Sequence, residues 1–95
     1  MRRIHRYPLA IDDVQTIRIP GLARFLSVDG SRGAIELWAL IDPALPEREH
    51  EVRIVGTGNP FPDEIGSGGF EHLGHAITHN GAFVWHVWAN PNPTS

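Results

Sequence analysis

The sequence predicts a small all-β domain, either an antiparallel sandwich or a partly open barrel of about six to seven strands. Two observations predict this class: short runs in which apolar and polar residues alternate, and turn sequences that separate those runs. No apolar period of about 3.6 residues lasts for three turns, so we expect no long helix. The 95 residues suffice for one hydrophobic core, which predicts a single β domain over residues 1–95 with a frayed tail from about residue 90.

The pattern places seven strands along the chain. They cover residues 2–9, 14–19, 23–28, 34–41, 51–55, 71–78 and 82–89. Pro20-Gly21 and the segment 29–33 are turn sequences between consecutive strands, since proline presets φ and glycine accepts positive φ. The segment 42–49 has room for one helical turn, and residues 56–69 are expected to form a long loop without regular structure.

The last hairpin has the strongest sequence signal. Asn80-Gly81 stands at its tip, and this pair favours a type I′ turn, in which both central residues have positive φ. Such a turn pairs the residues symmetrically about the tip. The predicted pairs are Ile77–Val84, His75–His86 and Leu73–Trp88 on one face, and Thr78–Phe83, Ala76–Trp85 and Gly74–Val87 on the other.

Several strands are apolar on both faces. Trp85 and Trp88 point to opposite sides of the last hairpin, and Trp38 lies opposite the aliphatic face of the strand 34–41. A two-layer domain has a single interior, so a second apolar face predicts a contact between subunits and hence a homo-oligomer. The alternative is a closed barrel that carries one or two tryptophans on its surface.

Missing residue types exclude several kinds of chemistry. The chain has no cysteine and no lysine, which excludes disulfides, thiolate metal sites, Schiff-base chemistry and a lysine-bearing phosphate loop. The net charge of −3 argues against non-specific nucleic-acid binding. The chain has no apolar run of about 20 residues and no secretory signal pattern. We therefore expect a cytoplasmic protein without a membrane partner.

Catalytic motifs are also missing. Ser67 lies in a Gly-Ser-Gly-Gly segment that is not a nucleophile elbow, so we expect no enzyme, no catalytic residues and no cofactor. His75 and His86 would face each other at about 5 Å between Cβ atoms, but no third ligand stands at metal-binding spacing. We therefore expect no metal site. A polar ligand site and plainly solvated histidines both remain open.

Arginine and tryptophan together suit a phosphorylated, flat-ringed ligand. A guanidinium binds phosphate through two hydrogen bonds, and an indole ring stacks on a base. Amides of the Gly56-Thr57-Gly58 segment are candidates for an anion nest, and Phe61 is a candidate cover. Arginines that only keep the sheet soluble, and a glycine-rich crossover, are the alternatives. The predicted ligand-binding residues are Trp38, Arg53, Gly56, Thr57, Gly58, Phe61, His75, His86 and Trp88.

Three segments carry a family resemblance. Residues 37–43 read LWALIDP, residues 53–62 read RIVGTGNPFP and residues 81–88 read GAFVWHVW. Together they resemble a family of short phage and prophage proteins described only as a domain of unknown function. The likeness covers nearly the whole chain. It implies a viral or prophage origin and supplies no catalytic residues.

That origin leads to a functional expectation by analogy of size and architecture alone. Small oligomeric β proteins of phages include sponges, which sequester nucleotide-derived immune signals of the host. We therefore expect a non-enzymatic binding protein in the host cytoplasm that encloses a nucleotide-like small molecule between subunits. The alternatives are a virion or assembly protein, and an inhibitor that binds a host defence factor directly.

Overall fold

The computed structural model describes residues 1–21 and 23–94. Over this part of the chain it has seven strands and one short helix. In chain order they are β1 (Arg3–Leu9), β2 (Val14–Pro20), β3 (Arg24–Asp29), β4 (Ile35–Ile41), β5 (Glu47–Gly56), α1 (Asp63–Ser67), β6 (Glu71–Thr78) and β7 (Phe83–Ala89). Every predicted strand is present, and all except β5 begin and end within one residue of the prediction.

The strands form two antiparallel sheets, which confirms the predicted all-β sandwich. One sheet has the order β1-β4-β3 and the other the order β2-β5-β7-β6. The sheets do not close into a barrel, although β3 at the edge of one sheet contacts β6 at the edge of the other. The sole helix in the described residues is five residues long, and none there is long and apolar enough to cross a membrane.

Alternate residues of each strand fill the space between the sheets. On β4 these residues are Ile35, Leu37, Ala39 and Ile41, each at most 1% exposed. The four-stranded sheet contributes buried residues mainly from β5 and β7, namely Val52, Ile54, Val87 and Ala89. Because successive residues of a strand point to opposite faces, the residues between these positions point away from the core on the two outer sides.

Two segments between strands differ from the picture that the sequence gives. The helical turn for which residues 42–49 had room is absent, because β5 already begins at Glu47, where it pairs with Pro20 of β2. Only a tight turn precedes it, with the Leu45 amide donating to the Asp42 carbonyl at 3.1 Å. Residues 56–69 are not wholly irregular, because they include α1. That helix begins after Pro62, and its Ile65 side chain is 2% exposed.

The predicted tip of the last hairpin is confirmed. Asn80 and Gly81 have φ angles of 56° and 89°, as a type I′ turn requires. The Ala82 amide closes the turn by donating to the carbonyl of His79 at 3.1 Å. Five of the six predicted pairs occur, including His75 with His86.

The sixth predicted pair, Leu73 with Trp88, was wrong. A β-bulge between His72 and Gly74 inserts one extra residue, so that His72 is the residue opposite Trp88. Gly74 has a φ of 129°, a conformation that side chains disfavour. The bulge turns Leu73 toward the core, where it packs against the buried cluster.

The end of the chain is held more firmly than the predicted frayed tail. The Asn90 amide donates to the Glu51 carbonyl at 3.0 Å, and the Thr94 amide donates to the Glu49 carbonyl at 2.7 Å. The tail therefore runs along β5 as far as residue 94. The last predicted tail residue, Ser95, lies outside the described residues.

The close approach of Gly30 to β6 yields a stability prediction. A Cβ atom at Gly30 would lie 2.5 Å from the backbone oxygen of Ile77, and backbone cannot yield as a flexible side chain does. Gly30→Ala should therefore lower the free energy of unfolding by about 2 kcal/mol, measured by chemical denaturation. Gly66→Ala in α1 is the control, because its Cβ would meet only Phe61 at 3.9 Å. Equal midpoints for the two variants would contradict the prediction.

Candidate functional site

One side of the four-stranded sheet gathers most of the predicted ligand-binding residues. We call it the outer face, and it consists of Arg53, Val55, His72, His75, His86 and Trp88. The register places Arg53 of β5 opposite Trp88 of β7, and Val55 opposite His86. These residues alternate with the core residues of the same strands, so the core pattern itself turns them outward.

A strap of residues 57–70 crosses this face between β5 and β6. At its start the Thr57 amide donates to the Val84 carbonyl at 3.0 Å, and the Thr57 hydroxyl lies 2.9 Å from Nε2 of His86. At its far end the Asn90 side-chain amide donates to the Gly68 carbonyl at 2.9 Å. Between these points α1 buries Ile65. The strap is therefore fixed at both ends and at its helix.

Arg53 is the most strongly bonded residue of the site. The residue is only 7% exposed, and its Nε donates to the Asp13 carbonyl at 3.3 Å. Its Nη1 lies 3.4 Å from Glu51 Oε2, and its Nη2 donates to Glu64 Oε1 at 3.0 Å. The Glu64 side chain is 64% exposed, so a buried guanidinium has one partner that is open to solvent.

Glu64 has a perturbed carboxyl group. Its own backbone amide, at the start of α1, hydrogen-bonds the carboxylate, and the Arg53 guanidinium adds a further hydrogen bond. Both interactions favour the charged form and hold the pKa of Glu64 below its ordinary value of 4.5. The ion pair is therefore fully formed at neutral pH.

The Trp88 ring is enclosed by aromatic neighbours. The ring of Phe61, from the strap, packs edge-on against it with centroids 5.3 Å apart. The His72 ring lies 4.6 Å away at a 40° tilt. The Trp88 indole nitrogen is buried and has no hydrogen-bond partner among the described residues. The ring therefore contacts these neighbours through ring packing alone, and its N–H is a donor that they do not use.

Three histidines form a cluster that begins at the tryptophan, whose ring contacts His72. The His86 ring centroid lies 6.0 Å from that of His72 and 6.0 Å from that of His75. Within residues 1–21 and 23–94, no three histidine or acidic side chains are arranged to hold a metal ion. The cluster can donate or accept hydrogen bonds, as the contact between His86 and Thr57 illustrates.

A small cavity lies between the strap and the sheet. Its volume is about 220 Å³, and its lining includes Arg53, Asn59, Pro60 and Pro62. A larger open pocket of about 580 Å³ lies elsewhere, between the turn 30–33 and the tip 79–81 of the last hairpin. The smaller cavity is the one that reaches the Arg53 side of the site.

Eight of the nine predicted ligand-binding residues lie on the outer face, on the strap or where they join. The ninth, Trp38, lies on the opposite side of the sandwich, because it alternates with the core residues of β4. There the guanidinium of Arg6 sits 5.7 Å from its ring centroid. The sequence could not reveal this separation, which depends on how distant strands pair.

The segment 56–58, a candidate anion nest in the sequence, uses backbone hydrogen bonds within the protein. The Thr57 amide is already used by Val84, and the Asn59 amide donates to the Gly56 carbonyl at 3.0 Å. Gly58 does adopt a positive φ of 89°, and the space around it is open. The backbone of this segment therefore secures the strap instead of presenting a row of free amides.

Two residues that matter here were missed at the level of sequence. Glu64 was not among the predicted site residues, although a Pro-Asp-Glu start to a helix was a usable signal for α1. His50 is 1% exposed, with its Nδ1 2.9 Å from the Asn90 carbonyl oxygen. Residues 47–51 are mostly polar, so the sequence did not indicate that His50 belongs to the core pattern of β5.

The ion pair of Glu64 gives a pH prediction. Because the pKa of Glu64 is lowered on folding, its backbone hydrogen bond and its pairing with Arg53 together stabilise the protein above the ordinary carboxyl pKa, and this contribution is lost as pH falls through the folded value. In Arg53→Gln the pKa of Glu64 should rise but stay below 4.5, since the backbone hydrogen bond persists. NMR titration of the carboxyl carbon measures this, with Asp29 as the control, because the hydrogen bond from Ser31 that lowers the pKa of Asp29 does not involve Arg53. A Glu64 pKa unchanged by the substitution would contradict the geometry.

The cover on Trp88 gives a spectroscopic prediction. Phe61→Ala should shift the ¹⁹F resonance of fluorotryptophan at position 88 and leave that of position 85 in place. Phe83→Ala is a matched control, because Phe83 is equally exposed at 48% and stacks on Trp85 with centroids 5.7 Å apart. It should shift position 85 alone. If Phe61→Ala left position 88 unchanged, Phe61 would not cover that ring.

Comparison with known proteins places the chain in a family. Searches of curated proteins and of solved structures gave no match. A family model described as "Domain of unknown function (DUF7352)" matches residues 1–95. The expected membership of a family of unknown function is thereby confirmed, whereas the phage origin stays a prediction. Because the match spans the whole sequence, the chain belongs to the DUF7352 family.

Proposed function

We propose that this chain is a non-enzymatic binding protein that holds a nucleotide-derived ligand on Arg53 and Trp88. The observation that carries the proposal is their cross-strand pairing on the outer face. It sets a buried guanidinium, fixed by three partners, beside a tryptophan ring. Guanidinium binds phosphate and indole stacks on a base, so the pair matches the two ends of one nucleotide.

Polar side chains next to this pair on the outer face support the same ligand class. His86 and Thr57 already form a hydrogen bond at 2.9 Å, and His75 lies opposite His86. Hydroxyl and imidazole groups of this kind suit the polar atoms of a sugar or a base edge. Trp38 lies too far away to join within one chain, so it reaches the ligand only if a second subunit presents it.

In this proposal the protein acts by stoichiometric sequestration. Charge pairing with Arg53 and stacking on Trp88 retain a ligand without changing it, and a homo-oligomer would roof the site. The biological role we propose is a phage-encoded sponge for a nucleotide-derived immune signal in the host cytoplasm. The phage origin rests on the likeness of the segments 37–43, 53–62 and 81–88.

A second candidate is an assembly role, and the other side of the sandwich favours it. On the three-stranded sheet, Ile4 is 59% exposed and Leu26 is 42% exposed, and Leu40 lies opposite Ile4 in the register. With Trp38 they give that side an apolar character of the kind that marks protein contacts. A virion subunit, or an inhibitor of a host defence factor, would use this side.

Native mass spectrometry of gently purified protein tests the proposal. We expect a discrete oligomer that carries an extra mass, and we expect this mass to be lost on denaturation. The compound released should have the absorbance of a nucleotide. Arg53→Lys keeps the charge but loses the two-pronged hydrogen bonding, and should weaken binding about tenfold, equivalent to about 1.4 kcal/mol. Arg24→Lys, on β3 of the other sheet, is the control.

Each other outcome has a definite meaning. A monomer without extra mass would overturn the sponge, and an oligomer without extra mass would favour the assembly role. An extra mass retained equally by Arg53→Lys would move the ligand away from the outer face.

A further inference from the structure

The strap places one ring and one carboxylate on the two residues of the proposed site. Phe61 contacts the Trp88 ring with centroids 5.3 Å apart. Glu64 accepts a hydrogen bond from Arg53 Nη2 at 3.0 Å. The strap therefore contacts Trp88 through an aromatic ring and Arg53 through a carboxylate.

We infer that the strap is an internal stand-in for the ligand, and that a ligand enters by displacing Phe61 and Glu64. This inference rests on the proposed function and deepens it in two ways. It defines the ligand class as a flat ring joined to an anionic group over the span from Phe61 to Glu64. It also means that Phe61 and Glu64 of the strap occupy the site when no ligand is bound.

The contacts of Phe61 with Trp88 and of Glu64 with Arg53 both lie where a ligand can replace them. Phe61 is 48% exposed and the Glu64 side chain is 64% exposed, so both open toward solvent. The rest of the guanidinium is held independently by Asp13 and Glu51. Removal of Glu64 therefore frees Nη2 while Arg53 keeps its position.

The strap is anchored elsewhere, so its displacement need not unfold the protein. Ile65 is 2% exposed, and the Gly68 carbonyl accepts the 2.9 Å hydrogen bond from Asn90. These contacts hold the far end while the segment that contains Phe61 moves. The anchors make the strap a tethered competitor, present at a high effective concentration.

Space under the strap supports displacement rather than simple insertion. The cavity beside Arg53 measures about 220 Å³, below the range of about 300–1,000 Å³ that is usual for small-molecule sites. In this inference a nucleotide fits only when Pro60 and Pro62, which line the cavity, move outward and carry Phe61 with them. The existing cavity gives the anionic group its first access to the guanidinium.

Displacement lowers the affinity of the parent protein, because only the open fraction of molecules can bind. A variant that lacks the internal ring and carboxylate does not carry this penalty. Phe61→Ala/Glu64→Gln should therefore bind adenosine monophosphate, used here as the probe, at least about tenfold more tightly than the parent. The measurement is isothermal titration calorimetry on the full-length chain.

Two further variants make the comparison specific. Phe83→Ala/Asp63→Asn makes the same chemical changes at a ring that stacks on Trp85 and at a carboxylate that is not a partner of Arg53. It should bind the probe as the parent does. We call Phe61→Ala/Glu64→Gln the opened variant. Arg53→Lys added to it should abolish the gain in affinity for the probe. Glu64→Gln alone, which removes only the negative charge beside Arg53, serves if the double variant does not fold, and should show a smaller gain in affinity.

The outcomes separate the inference from the proposed function. If the parent and the opened variant bind the probe equally, or the parent binds more tightly, the stand-in is overturned while nucleotide binding survives. If neither binds although both are folded by NMR, both proposals fail. A gain retained when Arg53 is replaced would also overturn the inference, because the probe would not be using the position of Glu64.

Discussion

The guanidinium of Arg53 ties together three segments that are distant in sequence. It contacts the Asp13 carbonyl just before β2, Glu51 on its own strand and Glu64 on the strap. The same Asp13 carbonyl accepts the Ile54 amide at 3.2 Å. Burying an unpaired charge costs several kcal/mol, so these partners are conditions for the fold as much as features of a site. The start of β2, the centre of β5 and the path of the strap all depend on this one group.

The core explains why Arg53 lies where it does. Val52 and Ile54 are 0% and 3% exposed, and the residue between them must point the other way. A strand at the centre of a sheet would normally send that residue to water, yet the strap covers it. The part of the outer face that lies under the strap is therefore a second, smaller interior, with Arg53 and Trp88 at its base and Ile65 of α1 as its own buried residue.

The sequence predicted local features well and non-local ones poorly. Alternation located the strands, and Asn80-Gly81 set the hairpin register, because both signals are contained within a few residues. The bulge at Leu73 was missed because it depends on the single glycine at position 74, which alone accepts a φ of 129°. The early start of β5 was missed because its pairing with β2 overrides a polar local sequence. Trp38 could be placed only once the order of strands in both sheets was known.

The same limits apply to the site. Arg53 and Trp88 were both expected from residue type, but their adjacency follows from pairing between β5 and β7. The role of Glu64 could not be predicted, since its partner lies eleven residues away on another element. From the sequence alone, a carboxylate in a predicted loop is expected to be solvated. Only the fold shows that a buried cation lies beside it.

In our proposal Arg53 binds an anion, and its buried guanidinium then poses a physical problem when no ligand is present. Left alone it would be an unpaired buried charge, and paired with a buried carboxylate it would be unavailable. The arrangement around Arg53 meets both demands, since Glu51 and the Asp13 carbonyl fix its position while an exposed carboxylate completes its shell. The pairing of Phe61 with Trp88 does the same for the apolar half, shielding an indole that water would otherwise cover. In the proposed function, a site assembled in this way stays folded without its ligand and exchanges an internal partner for an external one.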